Sequence, residues 1–142
     1  MNAVVGLMQR HPLIFFHLVT AVAALLLGIV MLSRRKGTIG HRSLGWMWVA
    51  LMGSTALASV FIRDYRLPNL FGYTPIHGFT LLVAVLLPLA IVYIRRGNVR
   101  GHRKTMTGLY IGACVVAGLF TLLPGRFFGS LLWGTPVTGI AS

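Results

Sequence analysis

Four long apolar segments, joined by short polar connections, constrain this 142-residue chain more than any other feature of its sequence. Each is close to the ~20 residues that a helix needs to cross the hydrocarbon core of a bilayer. Helix is the expected structure because backbone groups that face lipid must form hydrogen bonds within their own segment. The segments cover residues 12–33, 44–62, 75–94 and 105–123.

Short connections make neighbouring helices antiparallel. We therefore predict an all-α membrane protein, a single transmembrane domain over residues 1–142 folded as an up-down-up-down bundle of four transmembrane helices.

The composition favours the same class of protein. Hydrophobic residues make up 56% of the chain and charged residues only 10%, whereas a soluble domain is about one quarter charged. Thirteen Lys and Arg stand against a single acidic residue, Asp64. In a nucleic-acid-binding domain such an excess forms a basic stripe on a soluble fold. Here the basic residues lie between apolar segments, which argues against nucleic acid and predicts a lipid bilayer as the partner.

The basic residues are distributed unevenly between the connections. The first and third connections carry nine of them and the opposite side carries four. Because cytoplasmic loops are enriched in Lys and Arg, this predicts a multi-pass membrane protein with the first and third connections in the cytoplasm and both termini outside. The nine are Arg34, Arg35, Lys36, Arg42, Arg95, Arg96, Arg100, Arg103 and Lys104; the four are Arg10, Arg63, Arg66 and Arg126.

The chain also resembles a duplicated helical hairpin, with repeats over about 12–62 and 75–125. When "FFHLVTAVAALLLGIVMLSRRKGTIGHRSLG" is aligned with "PIHGFTLLVAVLLPLAIVYIRRGNVRGHRKTMTG", "GHR" recurs at the same place in both. His17 falls on His77, and His41 falls on His102. Duplicated membrane proteins often form a site where their repeats meet. Four of the five histidines thus form two candidate pairs.

Alternate helices of such a bundle face each other diagonally, so each histidine pair is expected at one depth of the membrane. Histidine is a standard axial ligand of haem iron, so two opposed imidazoles inside a bundle suit a haem. This predicts two haem b groups, one held by His17 and His77 near the outer surface and one by His41 and His102 near the inner surface. Arginine and lysine side chains would then meet the haem propionates: Arg42, Arg103 and Lys104 inside, and Arg63, Arg66 and Arg126 outside.

Other interpretations of the histidines stay open at this point. They are also compatible with a structural role in a non-catalytic accessory subunit of a larger membrane complex, or with a His-lined proton or metal-ion pathway. The inner pair can hold iron only if it lies deep enough in the membrane, within the bundle core and not in the loops. Hydrolytic chemistry that needs paired carboxylates or a Ser-His-Asp triad is disfavoured, because Asp64 is the only acidic residue.

Several stretches resemble the DUF2306 family of predicted bacterial four-helix membrane proteins. They are "KGTIGHRSLGWMWVALMGSTALASVFIR", "TPIHGFTLL", "RRGNVRGHRKTMTGLY" and "FTLLPGR", within residues 12–128. The resemblance supports the fold and implies importance for His17, His41, His77, His102, Arg63 and Arg126, but it implies no reaction.

The diagonal histidine pattern is also similar to that of the cytochrome b561 superfamily, whose four-helix core binds two haems b. That similarity implies transmembrane electron transfer, with a quinone or another small redox partner. It would make the chain a candidate membrane oxidoreductase, although the sequence specifies neither an electron donor nor an acceptor.

Overall fold

The computed structural model describes residues 3–62, 77–124 and 127–134, and all the regular structure in these ranges is helical. Seven α-helices and one π-helix follow one another along the chain. They are α1 (Ala3–Arg10), α2 (Pro12–Ser33), α3 (Ile39–Phe61), α4 (His77–Arg95), α5 (Val99–Leu109), the π-helix (Tyr110–Val116), α6 (Ala117–Phe120) and α7 (Phe127–Trp133). The predicted all-α class is confirmed.

Three of these helices are long and apolar enough to cross a membrane, namely α2, α3 and α4. Their most apolar windows have mean hydropathies of 2.6, 1.5 and 2.2. The fourth predicted segment, 105–123, is built differently. Its helical region begins at Val99, and α5, the π-helix and α6 divide it. The early turns of α5 carry Arg100, Arg103 and Lys104, so this helix enters the apolar region only after a basic stretch.

Two equivalent turns set where α3 and α5 begin. Gly37 (φ 84°) and Gly97 (φ 75°) adopt left-handed backbone conformations that glycine tolerates without steric cost. The next residue caps each helix: the Thr38 hydroxyl accepts the His41 amide at 3.1 Å, and the Asn98 side chain accepts the Gly101 amide at 2.8 Å. Helix α3 therefore begins before Leu44, the predicted start, and both "GHR" motifs lie on helices.

Side-chain contacts show that consecutive long helices pack antiparallel. The Trp48 indole Nε1–H of α3 donates to the Ala24 carbonyl of α2 at 2.9 Å, and residues farther along α3 contact residues earlier in α2. Helix α4 packs in the same way against α3 and against α5. The buried core lies where these helices meet, and its members are Ala24, Trp48, Met52, Val83, Leu87, Leu109, Tyr110 and Cys114.

The π-helix approaches α2 at Gly28. The Tyr110 ring lies against this glycine, and the Tyr110 hydroxyl donates to the Leu25 carbonyl at 3.3 Å. The wider π turn has one more residue per hydrogen-bonded ring than an α turn, and such turns often occur at functional sites. Cys114, also in the π-helix, directs its thiol at the Met52 sulfur at 3.4 Å. The π-helix, which continues α5, thus contacts both α2 and α3.

Two hydroxyl pairs join α3 to its neighbours. The Thr55 hydroxyl donates to the Thr20 hydroxyl of α2 at 2.9 Å, and the Ser59 hydroxyl lies 2.6 Å from the Thr80 hydroxyl of α4. Thr55 and Ser59 are four residues apart and so share one face of α3. In the repeat alignment that sets His17 on His77, Thr20 falls on Thr80. Helix α3 therefore contacts two positions that the alignment pairs, through two hydroxyls on one of its faces.

Replacing Thr55 with valine, which keeps the side-chain shape, should lower the free energy of unfolding by about 0.6 kcal/mol, and at most ~1.7 kcal/mol, because interhelical hydrogen bonds in membranes have this magnitude. Unfolding of detergent-solubilised protein measures the loss. The Thr20→Val/Thr55→Val pair should cost less than the sum of the single changes. Ser33→Ala is the control, since the Ser33 hydroxyl is exposed and donates only within α2. Equal losses for Thr55→Val and Ser33→Ala would contradict this role.

Candidate functional site

One end of the molecule carries the two loops that join α2 to α3 and α4 to α5, and we call residues 34–42 and 95–104 the basic end. His41 and His102 lie here, in the first turns of α3 and α5. They are near enough that a positive charge on one ring would repel a positive charge on the other, and Lys36 acts on His41 in the same way. The structure therefore brings together the two histidines that the repeat had paired.

The two rings at the basic end have different hydrogen-bonding states. The His102 Nδ1–H donates to the Ala90 carbonyl of α4 at 2.8 Å, which fixes the ring and leaves Nε2 as its second nitrogen. The His41 Nδ1 atom is buried and has no hydrogen-bond partner. A buried polar atom without a partner is costly and calls for an explanation, such as a bound ion or ligand. This atom is the least satisfied polar group of the described site.

Basic residues adjoin both histidines in the sequence. Arg42 follows His41, Arg103 and Lys104 follow His102, and all three are exposed. The only acidic residue in the sequence, Asp64, lies outside the described residues and follows the opposite end of α3 along the chain. Two helix N-termini also point their unpaired amides toward this end, which adds positive potential. The basic end is therefore suited to anionic groups.

The other predicted pair is His17 and His77. These residues lie near the starts of α2 and α4, away from the basic end. The His17 Nδ1–H donates to the Thr55 carbonyl at 2.9 Å, and the His77 Nε2–H donates to the Ile62 carbonyl at 3.0 Å. Both histidines thus bind the backbone of α3 or of the residue that follows it. His77 also lines an open groove of about 280 Å³ with Val60, Thr80, Leu81 and Ala84. Arg63, Arg66 and Arg126, predicted at this end, lie outside the described residues.

The donor set limits which metal groups the described residues could hold. Nowhere in ranges 3–62, 77–124 and 127–134 do three or more His, Cys, Asp or Glu side chains come together. Haem needs only two protein ligands. A ligating histidine usually donates its other ring N–H to a carbonyl or carboxylate, as His102 and His17 do here. At the basic end His102 meets this criterion and His41 does not, because its Nδ1 atom has no partner; His77 would first have to exchange a present partner for iron.

Several contributors to the site were not predicted from the sequence. Ala90 and Thr55 orient histidines through backbone carbonyls, which any residue type would supply, so their identity gives no signal. The contacts of the Thr55 and Ser59 side chains could have been predicted, because these are hydroxyl residues at helical spacing within an otherwise apolar segment.

Comparisons with known proteins give one match. No curated protein and no solved structure matches the chain. None of the comparisons supports the similarity to the cytochrome b561 superfamily, which stays a prediction from the histidine pattern. The matching family model covers residues 14–133, which include all four paired histidines. With most of its length matched, the chain belongs to the DUF2306 family of predicted membrane proteins.

Proposed function

We propose that this chain is a haem b-binding electron-transfer protein of the bacterial plasma membrane. In this proposal α2, α3, α4 and the helical region 99–120 form an up-down-up-down bundle made of two repeated hairpins. The basic end faces the cytoplasm, as the bias of Lys and Arg favours. Haem iron with two axial histidines supplies one-electron chemistry without any change of its ligands. The donor, the acceptor and a quinone partner stay predictions.

The observation that carries the proposal is the neighbouring position of His41 and His102. They come from different hairpins, lie in equivalent helical turns and are near enough to interact electrostatically. The Ala90 carbonyl holds one ring in a fixed tautomer with Nε2 as the nitrogen left to bind. The other ring has a buried nitrogen without a partner. Such a pair would hold a single haem at the basic end.

The surrounding charges support an anionic cofactor rather than a bare cation. A porphyrin carries two propionates, and Arg42, Arg103 and Lys104 offer exposed cations beside the two histidines. A metal cation bound by two neutral imidazoles would instead be repelled by these side chains. We therefore assign propionate binding to Arg42, Arg103 and Lys104. Arg63 and Arg126 keep the same proposed role for a second haem at the opposite end.

The second haem, between His17 and His77, is the weaker half of the proposal. His17 already has the arrangement of an oriented ligand, with its Nδ1–H on the Thr55 carbonyl. His77 uses Nε2 for the Ile62 carbonyl, so its ligation requires a rearrangement at the start of α4. Two haems per chain would therefore mean that this end of the molecule changes conformation when loaded.

An absorption spectrum of protein purified from haem-supplied cells tests the proposal. We expect a Soret band that shifts on reduction with dithionite. His41→Ala and His102→Ala should each abolish the signal from the basic end, because a single histidine would hold haem more weakly than two. His11→Ala is the matched control, since His11 has no counterpart in the repeat and should leave the spectrum unchanged. His77→Ala should remove only a second haem.

Colourless protein, from cells in which a known haem protein is fully loaded, would refute haem binding. It would leave the accessory subunit and the ion pathway as explanations of the histidines. A spectrum that survives both His41→Ala and His102→Ala would move the site away from the basic end. Haem quantification distinguishes one haem per chain from two.

A further inference from the structure

The two loops of the basic end have the same construction beyond their histidines. Each begins with an adjacent arginine pair at the end of a membrane-spanning helix: Arg34-Arg35 directly after α2, and Arg95-Arg96 at the last residue of α4 and the next one. Each then has a left-handed glycine and a capping side chain. The first residue after each cap is an exposed aliphatic one, Ile39 at 84% and Val99 at 61% of full exposure. The haem proposal uses none of these features.

These four arginines are exposed, and their charges have no counter-ion in the structure. Their guanidinium groups donate no hydrogen bond to any residue that the structure describes. Lys36 differs, because its ammonium donates to the Leu32 carbonyl and so caps the end of α2. Asp64, the only acidic residue of the sequence, lies outside the described residues. No acidic side chain that the structure describes therefore neutralises the arginine pairs.

We propose that the two loops bind the phosphate groups of anionic phospholipids, one phosphate at each arginine pair. Guanidinium groups form paired hydrogen bonds with phosphate oxygens, which makes arginine the favoured side chain for this anion. The pairs lie at the ends of α2 and α4, where a membrane-spanning helix meets the headgroups.

The exposed aliphatic residues favour a lipid over a free phosphate ion. Ile39 and Val99 follow the arginine pairs within a few residues and are exposed. If the loops bound a free phosphate ion in water, these two apolar side chains would remain in contact with water. Next to a phospholipid they would contact the upper part of the acyl chains while the arginines extend to the headgroup. Basic pockets at this side of membrane helices are known to take anionic headgroups. The proposal is independent of haem, because Arg42, Arg103, Lys104 and the histidines take no part in it.

Lipid binding by the detergent-purified full chain tests this surface. Native mass spectrometry with phosphatidylglycerol or phosphatidylcholine counts the bound lipids, and we expect two phosphatidylglycerol molecules per chain to be retained preferentially. Arg34→Gln/Arg35→Gln and Arg95→Gln/Arg96→Gln should each remove one of the two. Affinity at the altered loop should fall about fivefold per arginine, or roughly 25-fold per pair. Arg10→Gln, which removes one charge at the opposite end, should change neither the number of bound lipids nor their affinity.

Each other outcome counts against the proposal. If phosphatidylcholine is retained as well as phosphatidylglycerol, the loops do not discriminate between lipids by headgroup charge. Loss of both lipids, or of neither, from a single-loop variant would contradict two separate sites. Inorganic phosphate and pyrophosphate are added at matched phosphate concentration, and full displacement of the lipid by them would identify a free-phosphate site instead. Thermal unfolding of the variants shows that they fold. A haem spectrum that is unchanged in the arginine variants shows that lipid binding and the proposed haem binding are independent.

Discussion

Replacing Trp48 with alanine should lower the free energy of unfolding by roughly 2–4 kcal/mol, which is below the ~3–5 kcal/mol that aromatic-to-alanine changes cost in soluble cores. Trp48 is only 3% exposed and lies in the core among residues of α2, α4 and the π-helix. In a bilayer the unfolded helices stay in an apolar medium, so the transfer from water contributes little. The remaining loss comes from the cavity and from the hydrogen bond to Ala24.

Trp46→Ala is the matched control, since Trp46 is in the same helix two residues earlier and is 55% exposed. We expect a change of less than about 0.5 kcal/mol for this exposed position. Trp48→Phe separates the two contributions, because it keeps most of the packing and removes the Nε1–H donor. Unfolding in mixed detergent micelles, followed by circular dichroism, measures all three variants. Similar losses for Trp46→Ala and Trp48→Ala would show that the core described around Trp48 does not hold the helices together.

The membrane character and the helical class could be predicted from the sequence because they depend on averages over about twenty residues. The span of α2 begins and ends at the predicted residues, since Pro12 starts it and the basic run at Arg34 follows it. The starts of α3 and α5 were placed too late. Polar residues near Gly40 and Gly101 suggested loops, but the Thr38 and Asn98 caps begin the helices before them.

The histidine pairing could be predicted in part. The matching "GHR" motifs predicted His41 and His102 as a pair, and the structure has both in the first turns of α3 and α5, near enough to interact electrostatically. Which ring nitrogen is engaged was not predictable, since it depends on backbone carbonyls at Ala90 and Thr55. The sequence made the inner pair the less secure of the two. In the structure His102 of that pair is bonded through Nδ1, whereas His77 of the outer pair is bonded through Nε2.

The π-helix had no visible sequence signal. Residues Tyr110–Val116 read as an ordinary apolar helical segment with small residues. Its position depends on a contact far away in the chain, between the Tyr110 ring and Gly28 of α2. Gly28 itself looked like one more small residue in an apolar run. Long-range contacts of this kind follow from packing and not from local pattern, and they can be tested by adding a single methyl group.

Gly28→Ala should lower the free energy of unfolding by about 1–3 kcal/mol, as for other overpacked positions. A Cβ atom at this position would overlap the Tyr110 ring and would lie 3.2 Å from the Trp48 Nε1 atom. Tyr110 cannot move aside cheaply, because it is 8% exposed and its hydroxyl is bonded to the Leu25 carbonyl. The overlap therefore outweighs the gain of up to ~1 kcal/mol that alanine brings to a helix interior.

Gly53→Ala provides the control, since Gly53 is also inside a membrane-spanning helix and a Cβ there would meet nothing within 4 Å. It should leave stability unchanged or raise it, because only helix propensity is affected. Tyr110→Ala should remove the penalty, so that adding Gly28→Ala to it costs almost nothing and the two positions show a coupling of the size of the Gly28→Ala loss. A Gly28→Ala loss that persists without the tyrosine ring would place the cause elsewhere, and a stabilised Gly28→Ala protein would show that α2 and the π-helix do not pack closely at this glycine.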